Sequence, residues 1–177
     1  MEYIFSFSIF YIFNFLSMSY RIGIGTDFHQ LVTGRTLWIG GVEIPHNKGA
    51  LGHSDADVLL HAICDALLGA LSLGDIGTHF PDTDKNLEGI DSKILLEKTY
   101  RLVQEKQFRV VNLDTMVCLE KPKIMAFAPG MQTIISLILK IAPSDISIKA
   151  TTTEKLGFIG REEGIMAQAV VLLTKPD

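Results

Sequence analysis

Gly25-Thr26-Asp27-Phe28-His29 closes an alternating run that begins at Tyr20, and an apolar helical pattern follows over residues 55–73. Ile22 and Ile24 stand two residues apart, the period of a half-buried strand. Val58, Leu59, Ala62, Ile63, Ala66, Leu67 and Ala70 recur at three and four, the period of a helix starting near Ser54 and Asp57. Between them, residues 36–44 read as a second strand or a hairpin around Gly40-Gly41. Residues 45–53, with Pro45, Gly49 and Gly52, read as loop. Residues 74–90 read as a longer loop, residues 92–106 as a second helix and residues 108–119 as a Val-rich strand. A third helix spans residues 124–141, delayed or broken at Pro129-Gly130; a strand over 146–152, a glycine-bearing turn over 157–164 and a last strand over 165–174 complete the chain. The order ββαα-βαββ, without a linker, predicts a single α+β domain: one mixed β-sheet covered by helices on one side.

With 177 residues the chain suffices for one domain with a real core. It is 47% hydrophobic and 20% charged, which excludes a disordered polyelectrolyte. The net charge of −4 and the lack of a dense Lys/Arg patch argue against a nucleic-acid partner. An anionic substrate is still allowed if metal cations help to neutralise it. Cys64 and Cys118 sit in apolar patterns without paired spacing and read as buried thiols in a reducing compartment. Residues 1–17 form a very apolar, aromatic extension outside residues 18–177. The extension lacks the basic start and cleavage site of a signal peptide and is short for a membrane span. An upstream extension of the reading frame, with Met18 as the start, is preferred to a targeting or anchoring segment, and no membrane partner is expected.

Asp27 and His29 are two residues apart on a strand, so both side chains point to one face. Alone, an Asp-x-His pair reads better as a turn with an exposed His. His61 changes the balance, because a histidine inside an apolar helix must find a partner. Asp27, His29 and His61 together make an N/O set of three that leaves one tetrahedral position open, the layout of a catalytic zinc site. Asp57 and Asp65 lie one helical turn on either side of His61, and one of them could hold its far ring nitrogen. His53 and Ser54 precede the helix and offer donors to an anion, although a plain capping Ser is the simpler reading. Thr151-Thr152-Thr153-Glu154 at a strand end suits phosphate and Mg²⁺, or simply a surface Glu-Lys pair. Lys123 could place a cation near a nucleotide; a solvated lysine is commoner. Asp75, Gly77, Phe80 and Asp82 lie in a loop long enough to act as a lid. The last strand is apolar on both faces, so it is either central or covered by another subunit.

Arg21-Ile-Gly-Ile-Gly-Thr-Asp-Phe-His29, His53-Ser-Asp-Ala-Asp57, His61-Ala-Ile-Cys-Asp65, Gly74-Asp-Ile-Gly77, Phe80-Pro-Asp-Thr83 and Ala150-Thr-Thr-Thr-Glu-Lys-Leu-Gly-Phe-Ile-Gly-Arg161 occur in this order. In this the chain resembles the 2-C-methyl-D-erythritol 2,4-cyclodiphosphate synthases of non-mevalonate isoprenoid biosynthesis, over about residues 20–175. The resemblance implies conversion of 4-diphosphocytidyl-2-C-methyl-D-erythritol 2-phosphate to the cyclic diphosphate with release of CMP. It implies a homotrimer with active sites between subunits. Asp27, His29 and His61 would hold zinc, and Glu154 would carry magnesium or manganese. His53, Ser54, Asp75 and Gly77 would line the methylerythritol phosphate side, with Asp65 supporting the metal site. Lys123, Thr151 and Thr152 would contact the cytidine diphosphate, and Phe158 and Arg161 would lie near the threefold axis. A bacterial cytoplasm is the expected location, ahead of a plastid-type organelle.

Overall fold

The computed structural model describes residues 19–84 and 87–175; the expectations for residues 1–17 lie outside them. Among the described residues, seven β-strands and five α-helices build the domain. They are β1 (Ser19–Thr33), β2 (Leu37–Ile39), β3 (Val42–Ile44), β4 (Lys48–Leu51), α1 (Val58–Ala70), α2 (Ile76–His79), α3 (Ser92–Glu105), β5 (Arg109–Cys118), α4 (Ala128–Leu139), β6 (Ile146–Thr151), α5 (Gly157–Gly160) and β7 (Gly164–Lys175). Five strands make one mixed sheet in the order β4-β1-β7-β5-β6, and β2 with β3 forms a separate hairpin. Only β5 and β6 run parallel. The expected α+β domain with one mixed sheet is therefore present, and β7 is central. No helix among the described residues is long and apolar enough to cross a membrane.

The seating of α1 on the sheet has a simple steric cause. Gly23 and Gly25 lie on the inward face of β1, and a Cβ at either would overlap a carbonyl oxygen of α1, of Ala66 and Ala62 respectively. Glycines facing alanines let helix and strand backbones approach closely. The rest of α1 is sunk in the core: Leu59, Leu60, Ile63 and Leu67 are fully buried. Each such side chain contributes about 1.5–3 kcal/mol by leaving water. α1 is thus apolar almost all round, as a fully enclosed helix must be.

Several sequence expectations need correction. β1 does not end at the Asp27/His29 pair; it continues to Thr33, pairing with β7 as far as Gln30 and with β4 from Gln30 onward. Asp27 and His29 are therefore mid-strand residues on the inward face. The loop predicted over residues 45–53 contains β4, and the loop over 74–90 contains the short helix α2. The predicted turn after residue 157 likewise begins with α5. Finally, α1 starts at Val58 rather than near Asp55, because Ala56 has a left-handed φ of 58° that breaks any earlier start. Asp57, not Ser54, is the cap, accepting the Leu59 and Leu60 N–H groups.

The sheet face opposite the helices is open in this chain. Ile22 (73% exposed), Ile24 (61%) and Val170 (39%) stand on it, so the central β7 is covered on one side only.

Candidate metal centre and substrate clefts

Two elements bring three donors to one point. Asp27 and His29 hang from the inward face of β1, and His61 comes from α1 above it. Asp27 Oδ2 lies 2.9 Å from His29 Nε2 and 3.1 Å from His61 Nδ1. The two ring nitrogens are 3.2 Å apart. Among the described residues this is the one cluster of histidine, cysteine and acidic side chains close enough to share an ion.

The outer atoms of both imidazoles determine what the inner atoms present. His29 Nδ1–H donates to the Leu51 carbonyl at 3.0 Å, which leaves Nε2 as a lone pair. His61 Nε2 faces Ser92 Oγ at 2.8 Å and Ser54 Oγ at 3.1 Å. Two lone pairs and a carboxylate oxygen within about 3 Å repel unless a positive charge sits among them. A proton can supply part of it. Burial alone would raise the Asp27 carboxyl, but hydrogen bonds with His29 and His61 outweigh it and hold the group below the usual carboxylate range. Burial works against a charged His61, yet Asp27 prevails and holds the imidazole above its ordinary value. A divalent cation with N/O preference meets the same demand through three ligands. The donor set fits zinc.

Neither Asp57 nor Asp65 holds the His61 ring, contrary to the expectation from helical spacing. Asp57 is fully buried and spent on backbone: besides capping α1 it accepts Gly40 N–H at 2.9 Å and Gly41 N–H at 2.6 Å, tying the β2–β3 hairpin to the helix. Burial pushes its carboxyl up against those bonds. Asp65 accepts the Ile76 N–H at 2.7 Å and so pins the start of α2. Ser92, 31 positions from His61, does what the sequence reading gave to an aspartate. Its only sequence signal was the Asp91-Ser92 helix start.

The remaining predicted residues fall into separate groups. His53, Ser54, Phe80 and Asp82 line a cleft of about 180 Å³ together with His29, His61 and the apolar Ile76, Leu87, Ile90 and Leu95. Asp75 stands nearby as the cap of α2, accepting Thr78 N–H at 2.8 Å, and Gly77 lies within that helix. Lys123, Thr151 and Thr152 line a second cleft of about 330 Å³ with Leu119, Pro122, Ile124, Met125 and Ala150. The clefts share no residue. β7 and β5 separate β1 from β6, which amounts to three strand spacings or roughly 14 Å. Glu154 sits on an exposed turn beside the second cleft, where Thr152 Oγ1 donates to its carboxylate at 2.9 Å. Glu154 and Lys155 both hold left-handed φ angles, of 52° and 65°, a strained turn of the kind found at ligand sites. Phe158 packs its ring 6.3 Å from Phe28, and Arg161 forms a two-pronged pair with Glu163 at 2.9–3.0 Å. Neither joins a cleft with the metal cluster.

Known proteins share both the sequence and the fold. The 2-C-methyl-D-erythritol 2,4-cyclodiphosphate synthase of Bacteroides thetaiotaomicron is 59% identical over 158 residues, covering 89% of this chain and 99% of its own. A solved structure from Plasmodium falciparum, described as an IspF complex with CDP, superposes with a TM-score of 0.79 at 38% identity, covering 90% of this chain and 98% of that one. The bifunctional IspDF of Campylobacter jejuni superposes at 0.87 with 42% identity; the match covers 91% of this chain but 44% of that longer protein. The sequence model of the YgbB family matches residues 20–174, and the chain belongs to that family.

Proposed function

We infer that the chain is a phosphorus–oxygen lyase, a 2-C-methyl-D-erythritol 2,4-cyclodiphosphate synthase acting in isoprenoid biosynthesis. It converts 4-diphosphocytidyl-2-C-methyl-D-erythritol 2-phosphate to the 2,4-cyclodiphosphate and CMP. The observation that carries this is the convergence of Asp27 Oδ2, His29 Nε2 and His61 Nδ1 on one point beside a cleft.

The chemistry explains why no nucleophilic side chain is needed. An oxygen of the 2-phosphate attacks the β-phosphorus of the diphosphate. The bond from that phosphorus to the bridging oxygen breaks, and the oxygen leaves with CMP. The nucleophile is already anionic, so the difficulty is the repulsion between phosphates. Zinc on Asp27, His29 and His61, and magnesium or manganese on Glu154, would screen that repulsion and polarise the attacked phosphorus. The chain's own residues position the ends. His53 and Ser54 offer donors to the 2-phosphate, while the Ile76, Phe80 and Leu87 wall and Asp82 enclose the methylerythritol carbon chain. Asp65 and Asp75 fix α2, with Gly77, at the rim. Lys123, Thr151 and Thr152 receive the cytidine diphosphate. Intramolecular attack has little association entropy left to lose, so positioning does most of the remaining work.

The same reading calls for a homotrimer with shared sites. The metal cleft and the nucleotide cleft lie apart within one chain, and one apolar sheet face has no cover. A neighbour docked on that face would bring its nucleotide cleft to this chain's metal, with Phe158 and Arg161 toward the axis. Sedimentation showing a monomer at micromolar concentration would end this part. We assign the protein to the cytoplasm, because a multiply charged phosphate substrate does not cross a membrane unaided. The deciding experiment is incubation with the cytidylylated substrate, zinc and Mg²⁺, followed by ³¹P NMR. A cyclic diphosphate and CMP are expected; linear or inorganic phosphate would make the enzyme a hydrolase.

A further inference from the structure

We propose that Asp55 and Ser92 form a positioning relay that fixes the tautomer of His61 and thereby presents the Nδ1 lone pair to the metal. The proposal rests on the metal centre described above and extends the Ser92–His61 contact to Asp55, which has had no part in the site so far.

The direction of each hydrogen bond follows from what each group can do. Asp55 Oδ2 accepts the Ser92 backbone N–H at 3.0 Å, and Oδ1 accepts the Asp57 N–H at 3.2 Å. Oδ1 also meets Ser92 Oγ at 2.5 Å. A carboxylate oxygen can only accept, so the single Ser92 hydroxyl proton goes to Asp55. Ser92 Oγ is then left with lone pairs toward His61 Nε2, 2.8 Å away. The proton between them must come from the ring. With Nε2 protonated, neutral His61 carries its lone pair on Nδ1, 3.1 Å from the Asp27 carboxylate and 3.2 Å from His29 Nε2. Both are acceptors that draw the proton toward Nδ1, and the relay is the contact that opposes them and keeps that lone pair free for a cation. Were the relay reversed, Nδ1–H would point into the site and block a ligand position.

Ser54 cannot make this choice alone. Its Oγ accepts the Ala56 N–H at 3.0 Å and faces His61 Nε2 at 3.1 Å, but no carboxylate claims its hydroxyl proton. It can meet the ring as donor or as acceptor. Ser92 is also fully enclosed, so water cannot replace it. The relay has a second attachment. Asp55 N–H donates to Ile90 O at 3.1 Å and Gly89 N–H to His53 O at 2.8 Å, which stitch the end of the loop that lines the cleft to the segment holding Asp55.

The test uses the full chain, stripped of metal, with ¹⁵N-labelled histidine, at a pH above the His61 transition located by following the ring signals, where the neutral ring reports its tautomer. His61 is assigned by its absence in His61→Gln. Zinc affinity is measured separately by chelator competition. Wild type should show His61 protonated at Nε2. Ser92→Ala should populate the Nδ1–H form and weaken zinc about 10–100-fold, the usual range for loss of a ligand's outer partner. Ser92→Thr, which keeps a hydroxyl, should restore the tautomer even if its methyl loosens the fold. Wild-type tautomer and affinity in Ser92→Ala, a shift in only one readout, or an Nδ1–H ring in wild type would overturn the relay. A chain that binds zinc with this Ser92 dependence but releases no CMP would instead overturn the assigned reaction and leave the relay standing.

Discussion

The metal side and the nucleotide side of this molecule are built in different ways. Asp27, His29 and His61 are half-buried or buried, and Asp27 Oδ2 and all four ring nitrogens have partners within the chain. Thr151, Thr152, Glu154 and Lys123 stand at strand ends and turns, and Glu154 is exposed on a strained backbone. One side is assembled by folding. The other is a half-site that substrate, cation and, in the proposed trimer, a neighbouring chain complete. Mutations should therefore act on fold and metal together on the first side and on ligand binding alone on the second.

The largest expected effect is on the metal side. His61→Ala removes one of three ligands and should abolish stoichiometric zinc and lower activity by about three orders of magnitude or more, since metal and charge screening are lost together. The core should survive, because His61 lies at the edge of the buried surface of α1. Full activity in a rigorously metal-free preparation would remove the basis of the comparison. Gly25→Ala should come next. Its new Cβ meets backbone of α1, which cannot rotate away. A loss of about 1–3 kcal/mol in urea denaturation is expected, with weakened zinc binding, because the helix must move off the strand that carries Asp27 and His29.

On the nucleotide side, Glu154→Gln should shift the Mg²⁺ dependence of the rate and cost about 10–100-fold in activity at limiting Mg²⁺. Zinc content and unfolding midpoint should stay at wild type. A parallel loss of zinc would mean that the two sides are one folding unit, and the contrast drawn above would fail.

Much of the metal side was legible in the sequence. A period-2 pair on a strand and a histidine on an apolar helix are local patterns. What closes the site is not local. The Gly23 and Gly25 contacts with α1 are visible only once helix and strand meet. Ser92 reaches His61 across 31 positions, while Asp57 and Asp65, at the right helical spacing, are spent on Gly40, Gly41 and Ile76 instead. Backbone demand overrode side-chain spacing. Polar Asp27 and His29 read as a strand end in the sequence; β1 runs on past them because both side chains turn into one covered site with His61. β4 was hidden in a Gly-containing stretch and exists because β1 supplies a partner.

Acidity should separate the metal-free and zinc-loaded forms. In the metal-free chain Asp27 holds His61 above its ordinary value of 6.5. The folded state then binds the extra proton, so this contribution is fully present below about 6.5 and is lost as pH rises through the raised value. Asp27 itself, held low, contributes above its unfolded value of 3.8 and loses that only in stronger acid. Metal-free protein should thus become more stable as pH falls toward 6.5. Zinc-loaded protein should become less so, because protons compete for His61. Thermal melts of both forms across that window should have opposite slopes, and equal slopes would show that zinc is not bound through His61.

The smallest effect concerns reactivity at the back of the metal helix. Cys64 lies on α1, wholly enclosed, and burial pushes its thiol up to about 12. Cys118, at the end of β5 on the nucleotide side, is only half-buried, and burial raises it as well. A thiolate-selective reagent at pH 8 requires both ionisation and access. Cys118 should react first, at a rate independent of folding stability. Cys64 should react only as α1 lifts from the sheet, so its rate should follow the global unfolding free energy and rise in Gly25→Ala. Labelling of Cys64 as fast as Cys118 in the folded protein would mean that α1 opens on its own, and that the metal side is no more firmly built than the exposed turn around Glu154.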